Sequence, residues 1–199
     1  MRIRLLFLAS TLLFPLFVLS APAQAPAIDL RLLARAKAGD AAAQVAVGAC
    51  YAASAAGERR TAQAGADYEI AAGWYRKAAA EGSLDGELHL AALYRDGGKG
   101  FARDSSQAAI WYRKAAEQGD AGAAATIGLL YSIGQGVPQN YVEAYYWTSL
   151  AAALKSPNRA QYIANRQRIG THLTLDEVND VEDRVTQWLA AHPERNFTR

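Results

Sequence analysis

The residues of this 199-residue chain best suited to chemistry are three histidines and a single cysteine. A histidine can act as a general base or a metal ligand, and a cysteine as a nucleophile. Neither His172 nor His192 has a second histidine, a cysteine or an aspartate at the spacing of a zinc site. His89 is either a residue that projects toward a ligand or an exposed polar residue. Cys50, with no cysteine to pair with, is expected to be a buried and inert thiol.

Other catalytic signatures are also missing from the sequence. Neither G-x-S-x-G nor S-x-x-K occurs, so the common serine nucleophiles are absent. The acidic pairs Asp85/Glu87 and Asp176/Glu177 are too close in sequence to converge from one helix, because neighbouring residues point in different directions. We therefore expect a protein that is not an enzyme and binds no cofactor or metal.

The N-terminus has the pattern of a secretory signal peptide over residues 1–23. Arg2 and Arg4 precede an apolar run over residues 5–19, and residues 21–23 read APA, a cleavage pattern that leaves Gln24 first. An uncleaved membrane anchor is the alternative, but the run is shorter than the roughly 20 residues that span a bilayer. We expect a periplasmic or secreted protein with no membrane span after cleavage.

The charge balance argues against a nucleic-acid partner. The formal net charge is +2, and removal of the signal segment with its two arginines leaves 19 basic and 19 acidic residues. Nucleic-acid binding depends on a concentration of positive charge on the protein, and no long basic stripe occurs in the sequence.

Internal repeats organise most of the chain. Residues 71–82 read AAGWYRKAAAEG, and residues 108–119 read AAIWYRKAAEQG, 37 positions later. A diverged third copy, AYYWTSLAA, occupies residues 144–152. A second pattern over residues 40–51 recurs at 83–94 and at 120–131. Repeats of this length predict supersecondary units that bury their apolar faces against one another.

Each unit reads as two helices. Asp40, Ser83 and Asp120 can cap the first helices, since their side-chain oxygens accept from free backbone N–H groups. The second helices are expected to open near Asp104 and Asn140. Small residues at equivalent positions of the first helices predict close contact with a partner helix, namely Gly48, Ala91 and Gly128. The predicted fold is all-α, an α/α superhelix of about three helix-turn-helix repeats.

The predicted boundaries divide the mature chain into a half-repeat cap, three repeats, a capping helix pair and a tail. Thr174 and Glu177 have the spacing of a capping box, which places the start of the last helix. The ranges are 24–39 for the N-terminal cap, 40–82, 83–119 and 120–154 for the repeats, 155–191 for the capping pair and 192–199 for the tail.

These motifs resemble the Sel-one-like repeat family, a relative of the tetratricopeptide repeats. The family pattern runs from A-x-x-x-L-G-x-x-Y through G-x-G-V to W-Y-x-K-A-A-E-x-G-D, and residues 93–120 and 127–137 carry it most fully. The resemblance covers about residues 30–154 and implies a scaffold that binds other proteins. The disulfide pairs of cysteine-rich bacterial members are absent here.

The first unit departs from the pattern. Between Tyr51 and Trp74 lie 22 residues, against 16 between Tyr94 and Trp111. Insertions in repeat arrays usually form loops on one face, some of which bind a partner. We predict a solvent-exposed loop within residues 54–66.

The resemblance implies that a protein or an extended peptide binds on the concave face, which first helices line in tetratricopeptide-like arrays. The alternative is a binder of cell-wall or envelope polysaccharide within an assembly or export machine, with the aromatic side chains of residues 145–147 stacking on sugar rings. The residues carried over to the concave face are Asp85, Leu88, Ala92, Arg95, Ala125, Leu129 and Ser132.

Overall fold

The computed structural model describes residues 26–195, which form nine α-helices and no strand. The predicted signal segment and its cleavage site lie outside the described residues, as do residues 196–199. A short 3-10 helix at Pro193–Arg195 follows the last α-helix. The helices are α1 (Leu30–Lys37), α2 (Ala41–Gly57), α3 (Thr61–Ala80), α4 (Leu84–Asp96), α5 (Ser105–Glu117), α6 (Ala121–Ile133), α7 (Tyr141–Ala153), α8 (Arg159–Gly170) and α9 (Leu175–Ala191).

The helix starts follow local capping chemistry. Asp40, Ser83 and Asp120 each accept a hydrogen bond from the backbone N–H three residues on, at 3.0, 3.2 and 2.6 Å. Asp104 and Asn140 do the same for α5 and α7 at 2.9 and 3.0 Å. The three predicted caps and the two predicted helix starts are confirmed, and each side chain satisfies a donor that the helix itself leaves free.

Close contact between the two helices of a hairpin occurs at the predicted small residues. A Cβ atom added to Gly48 would lie 2.7 Å from Cε1 of Tyr75, across the α2/α3 contact. One added to Gly128 would lie 2.8 Å from Cγ2 of Thr148, across the α6/α7 contact. Both distances are too short for real atoms, so glycine sets how near the helices approach.

Consecutive hairpins stack, and their buried side chains fill the space between them. The largest cluster runs from α4 to α8 and includes Ile127, Leu130, Trp147 and Leu150. A separate cluster with Val181 at its centre joins α7 and α8 to α9. Because each hairpin buries its apolar side on the next one, the chain is an α/α solenoid, as predicted.

Arginine–tyrosine hydrogen bonds join each of the first two repeats to the next repeat. Arg76 on α3 donates to Tyr94 Oη on α4 at 3.0 Å. Arg113 on α5 makes the same bond to Tyr131 Oη on α6. Ser149 occupies the equivalent place on α7, so this series of bonds does not continue past the third repeat.

The loop prediction for the first repeat is wrong. The additional residues extend the two helices: α2 and α3 have 17 and 20 residues, whereas each helix of the next two repeats has 13. Alanine-rich sequence favours the helix. The buried Asp67 carboxylate joins the extensions by accepting from Ser54 Oγ and Gln63 Nε2, both at 2.9 Å.

The two C-terminal helices pack on the second helix of the third repeat. The capping box of Thr174 and Glu177 at the start of α9 is confirmed. Helix α8 lies beside α6, since a Cβ atom on Gly122 would be 4.0 Å from Tyr162 Oη. It packs on α7 as α4 packs on α3 and α6 on α5, so it takes the place of a first helix. Helix α9 also packs on α7 and does not form a closely packed hairpin with α8. Within residues 26–195, no helix combines the length and the apolar character that crossing a membrane requires.

Candidate functional site

The first-helix face, made by the exposed sides of α2, α4, α6 and α8, has an uneven distribution of charge. Helices α2 and α6 contain no charged residue. Helix α4 carries acidic and basic residues, whereas the charged residues of α8 are all arginines. Charged residues normally cover the solvent side of a helix, so the uncharged α6 between α4 and α8 is unusual.

The first of two clefts on this face, the α2/α4 cleft, has a volume of about 310 Å³. The rings of Tyr75 and His89 form one wall, stacked with centroids 5.0 Å apart and planes 11° apart. Burial raises the pKa of the Tyr75 hydroxyl, so it stays protonated near neutral pH. Asp96 is the acidic residue of this cleft. The remaining lining residues are Ala52, Tyr68, Ala92, Leu93 and Gly97.

The second cleft, the α6/α8 cleft, has a volume of about 340 Å³ and again contains a tyrosine–histidine stack. The rings of Tyr141 and His172 lie 4.1 Å apart with planes 5° apart. Leu129 and Ile133, one turn apart on α6, leave 44% and 55% of their surface exposed. Arg168 is the basic residue of this cleft. Ser132 and Ile169 complete the lining.

The two clefts occupy equivalent places, each between a first helix and the next one. Ala52 lines the first and Ser132 the second, and these residues correspond in the repeat. Arg95 holds the corresponding place between α4 and α6. Its guanidinium donates to Tyr112 Oη at 2.7 Å and to both carboxylate oxygens of Asp96 at 2.7 and 2.9 Å. These bonds lower the pKa of the Asp96 carboxyl group.

The structure divides the residues predicted to contact a partner. Leu129 and Ser132 come together in the α6/α8 cleft, and Ala92 lines the α2/α4 cleft. Arg95 lies between the clefts and is held by Asp96 and Tyr112. Four of the seven residues thus lie in or between the two clefts; their role in binding stays a prediction.

The other three predicted residues lie elsewhere. Leu88 and Ala125 are half-buried and pack against the largest core cluster. Asp85 is exposed in the first turn of α4 and lines neither cleft. The first helices therefore use part of their apolar surface for stacking, which sequence spacing alone does not separate from exposed surface.

Sequence reasoning assigned no binding role to several residues that line the clefts. Tyr141 reads as the first residue after a cap, and Arg168 and His172 read as parts of a capping pair. Arg168 lies near the C-terminal end of α8, and His172 lies in the turn that follows it. No repeat motif places these residues beside α6, because α8 has no L-G-x-x-Y stretch.

The side chains with chemical potential lie apart from one another. Cys50 is half-buried, which is more exposed than predicted for a core thiol. Across the described residues, no group of three or more histidine, cysteine or acidic side chains is arranged to hold a metal ion. Tyr145 and Trp147 are 7% and 6% exposed and belong to the core, so they offer no face to a sugar ring.

The Sel1 repeat matches three stretches of the chain, residues 41–83, 85–120 and 121–156, which together cover more than half of it. The chain belongs to the Sel1 repeat family. Sel1 repeat proteins are generally protein-interaction scaffolds, and the stacked hairpins and clefts of this chain are consistent with that role. No protein among the curated sequences is similar enough to match it.

Two solved structures share the fold. One is c5321, a protective antigen of uropathogenic Escherichia coli with an SLR fold, at 26% identity and a TM-score of 0.55 over 80% of this chain. This chain spans only 40% of that protein's length. The other is a Sel1 repeat protein from Oxalobacter formigenes, 33% identical with a TM-score of 0.51, matched over 62% of this chain and 89% of that one.

Proposed function

We propose that this Sel1 repeat protein is a non-catalytic adaptor of the bacterial cell envelope, and that it binds a protein or an extended peptide segment across its first-helix face. The observation that carries the proposal is the pair of equivalent clefts between first helices, each walled by a tyrosine–histidine stack. Concave sites with a few polar groups among apolar side chains are the usual form of binding sites.

Two clefts on one face suit an extended partner better than a small ligand. Neighbouring packed helices lie about 10 Å apart, so a segment that reaches from the α2/α4 cleft to the α6/α8 cleft needs several extended residues at about 3.3 Å each. The volumes of the clefts lie near the lower end of the range of roughly 300–1,000 Å³ for ligand pockets, which fits single side chains of a partner.

The envelope location rests on the N-terminal sequence. A cationic start, an apolar run and the small residues before Gln24 direct a chain to the secretion machinery. Mass spectrometry of the protein isolated from its host tests this location directly. We expect a mature N-terminus at Gln24, and an intact Met1 start in the cytoplasmic fraction would contradict it.

Site-specific crosslinking tests the binding face. A photoreactive amino acid replaces Ala92 or Leu129 in the full chain, and in a matched control it replaces Ile110, an exposed residue of the second helix α5. We expect a discrete crosslinked partner from the two first-helix positions and none from Ile110. Equal crosslinking from all three positions, or none from Ala92 and Leu129, would refute this face.

A further inference from the structure

The α6/α8 cleft combines exposed aliphatic surface with positive charge. Leu129 and Ile133 form a pair at i and i+4 on a helix that carries no charged residue, and both are about half exposed. Exposed neighbouring aliphatic side chains on an otherwise well-packed protein are typical of interaction surfaces. An aliphatic side chain of a partner would cover this pair, with the buried Ile169 at the floor of the cleft.

The charge of this cleft is not balanced within it. No acidic side chain is among its lining residues, and Arg168 is exposed. One guanidinium N–H of Arg168 donates to Asn165 Oδ1 at 3.2 Å, and the guanidinium carries five donors in all. By contrast, the charged residue of the α2/α4 cleft, Asp96, has both oxygens bound by Arg95. A partner therefore meets an unbalanced charge in the α6/α8 cleft.

We infer that the α6/α8 cleft binds an acidic segment of a protein partner, with an aliphatic side chain against Leu129 and Ile133 and an adjacent carboxylate at Arg168. This inference rests on the proposed function, and it adds the chemistry of the partner. A guanidinium and a carboxylate pair in a planar, directional way, so Arg168 fixes the position of the acidic group relative to the aliphatic anchor.

Two fluorescein-labelled octapeptides test this chemistry on the full protein. Both consist of glycine and serine around a central leucine, which is followed by glutamate in one peptide and by lysine in the other. Fluorescence anisotropy measures the affinities. We expect the glutamate peptide to bind up to about fivefold more tightly than the lysine peptide, since an exposed ion pair contributes up to about 1 kcal/mol.

Charge reversal of the protein gives the decisive comparison. The variant Arg168→Glu should reverse the preference between the two peptides, whereas Arg31→Glu, the same change on the distant helix α1, should leave it as it was. Equal binding of both peptides, binding of neither, or an equal effect of the two variants would overturn the inference. Circular dichroism of each variant separates these results from loss of the fold.

The crosslinking experiment distinguishes failure of the acidic-segment inference from failure of the proposed function. If Leu129 and Ala92 still crosslink to a partner while the peptides show no charge preference, the acidic chemistry is wrong and the binding face stands. If crosslinking is also absent, the proposed function is wrong.

Discussion

The first and third repeats form the same hairpin with different helix lengths. The first uses helices of 17 and 20 residues, and the third uses two helices of 13 residues. At the helix crossing they are alike, with Gly48 against Tyr75 in one and Gly128 against Thr148 in the other. Away from the crossing they differ, because only the first has the buried Asp67 with its two hydrogen bonds.

This difference shows which positions a repeat must keep. The stacking of hairpins depends on the distance between helices at their crossing, which a glycine sets in both repeats. The helix ends that extend beyond the crossing need only satisfy their own polar groups, and Asp67 does this in the first repeat. We therefore expect mutations at the crossing to have larger effects than mutations in the extension.

The largest effect is expected at the third-repeat crossing. A valine in place of Gly128 would meet Thr148 Cγ2 and the Ala144 carbonyl oxygen, whose distances from an added Cβ are 2.8 and 3.1 Å. Gly128→Val should lower the free energy of unfolding by about 2–3 kcal/mol through overpacking, measured by urea denaturation. Gly73→Val is the control, because no atom lies within 4 Å of its added Cβ, and its effect should be close to zero. A similar loss in both variants would show that the close approach at the crossing is not what makes valine destabilising at Gly128.

A smaller effect is expected in the extension of the first repeat. Asp67→Ala removes the acceptor for Ser54 and Gln63 and should cost about 1–2 kcal/mol. Hydrogen exchange should become faster within residues 54–67 and stay unchanged in α6 and α7. Faster exchange throughout the array would mean that the extension supports more than its own hairpin.

A pH-dependent effect on stability is expected from Glu87 in the second repeat. This buried position is Gln44 in the first repeat and Ala124 in the third. Burial raises the pKa of Glu87 above its ordinary value of 4.5, and Gln118 donates to it at 2.9 Å. The folded state therefore binds the proton more tightly than the unfolded chain, and Glu87 loses stabilising effect as the pH rises through its raised pKa.

The variant Glu87→Gln measures this contribution because glutamine keeps an oxygen that accepts from Gln118. The midpoint of its urea denaturation should exceed that of the natural protein at pH 7. The difference between the two midpoints should shrink as the pH falls toward 4.5. If the difference between the midpoints does not change with pH, burial does not govern the titration of Glu87.

The smallest effect on stability is expected at Leu129, which corresponds to Ala49 and Ala92 in the first two repeats. Leu129→Ala makes the third repeat match the others at this exposed position and should change the free energy of unfolding by less than about 0.5 kcal/mol. The same variant should weaken binding of the glutamate peptide several-fold. A large loss of stability would assign Leu129 to the core instead of the cleft.

Local chemistry made the fold predictable from sequence. Caps such as Asp40 and Asn140 act on N–H groups a few residues away, so their effect is visible in the sequence pattern. The loop prediction for the segment after Ser54 is wrong because its alanines favour a helix, although insertions are usually loops. The hydrogen bonds of Asp67 that hold this helix join residues up to 13 apart, and no local pattern reveals them.

The candidate site was less predictable because it depends on contacts between repeats. Leu88 and Leu129 are both apolar residues of first helices, yet one packs on the core and the other is exposed. Stacking against the neighbouring hairpin determines which of the two leucines is packed and which is exposed. The contributions of Arg168 on α8 and His172 in the turn after it depend on where a helix without the repeat motif packs.

The arginine–tyrosine bonds between repeats also carry a rule for how the array can grow. The second repeat offers Tyr94 to the unit before it and Arg113 to the unit after it. A tandem duplication of this repeat would thus recreate the bond at each new junction. A unit added after the third repeat would meet Ser149, which has no guanidinium to offer, so lengthening by gene duplication is favoured in the interior of the array and disfavoured at its C-terminal end.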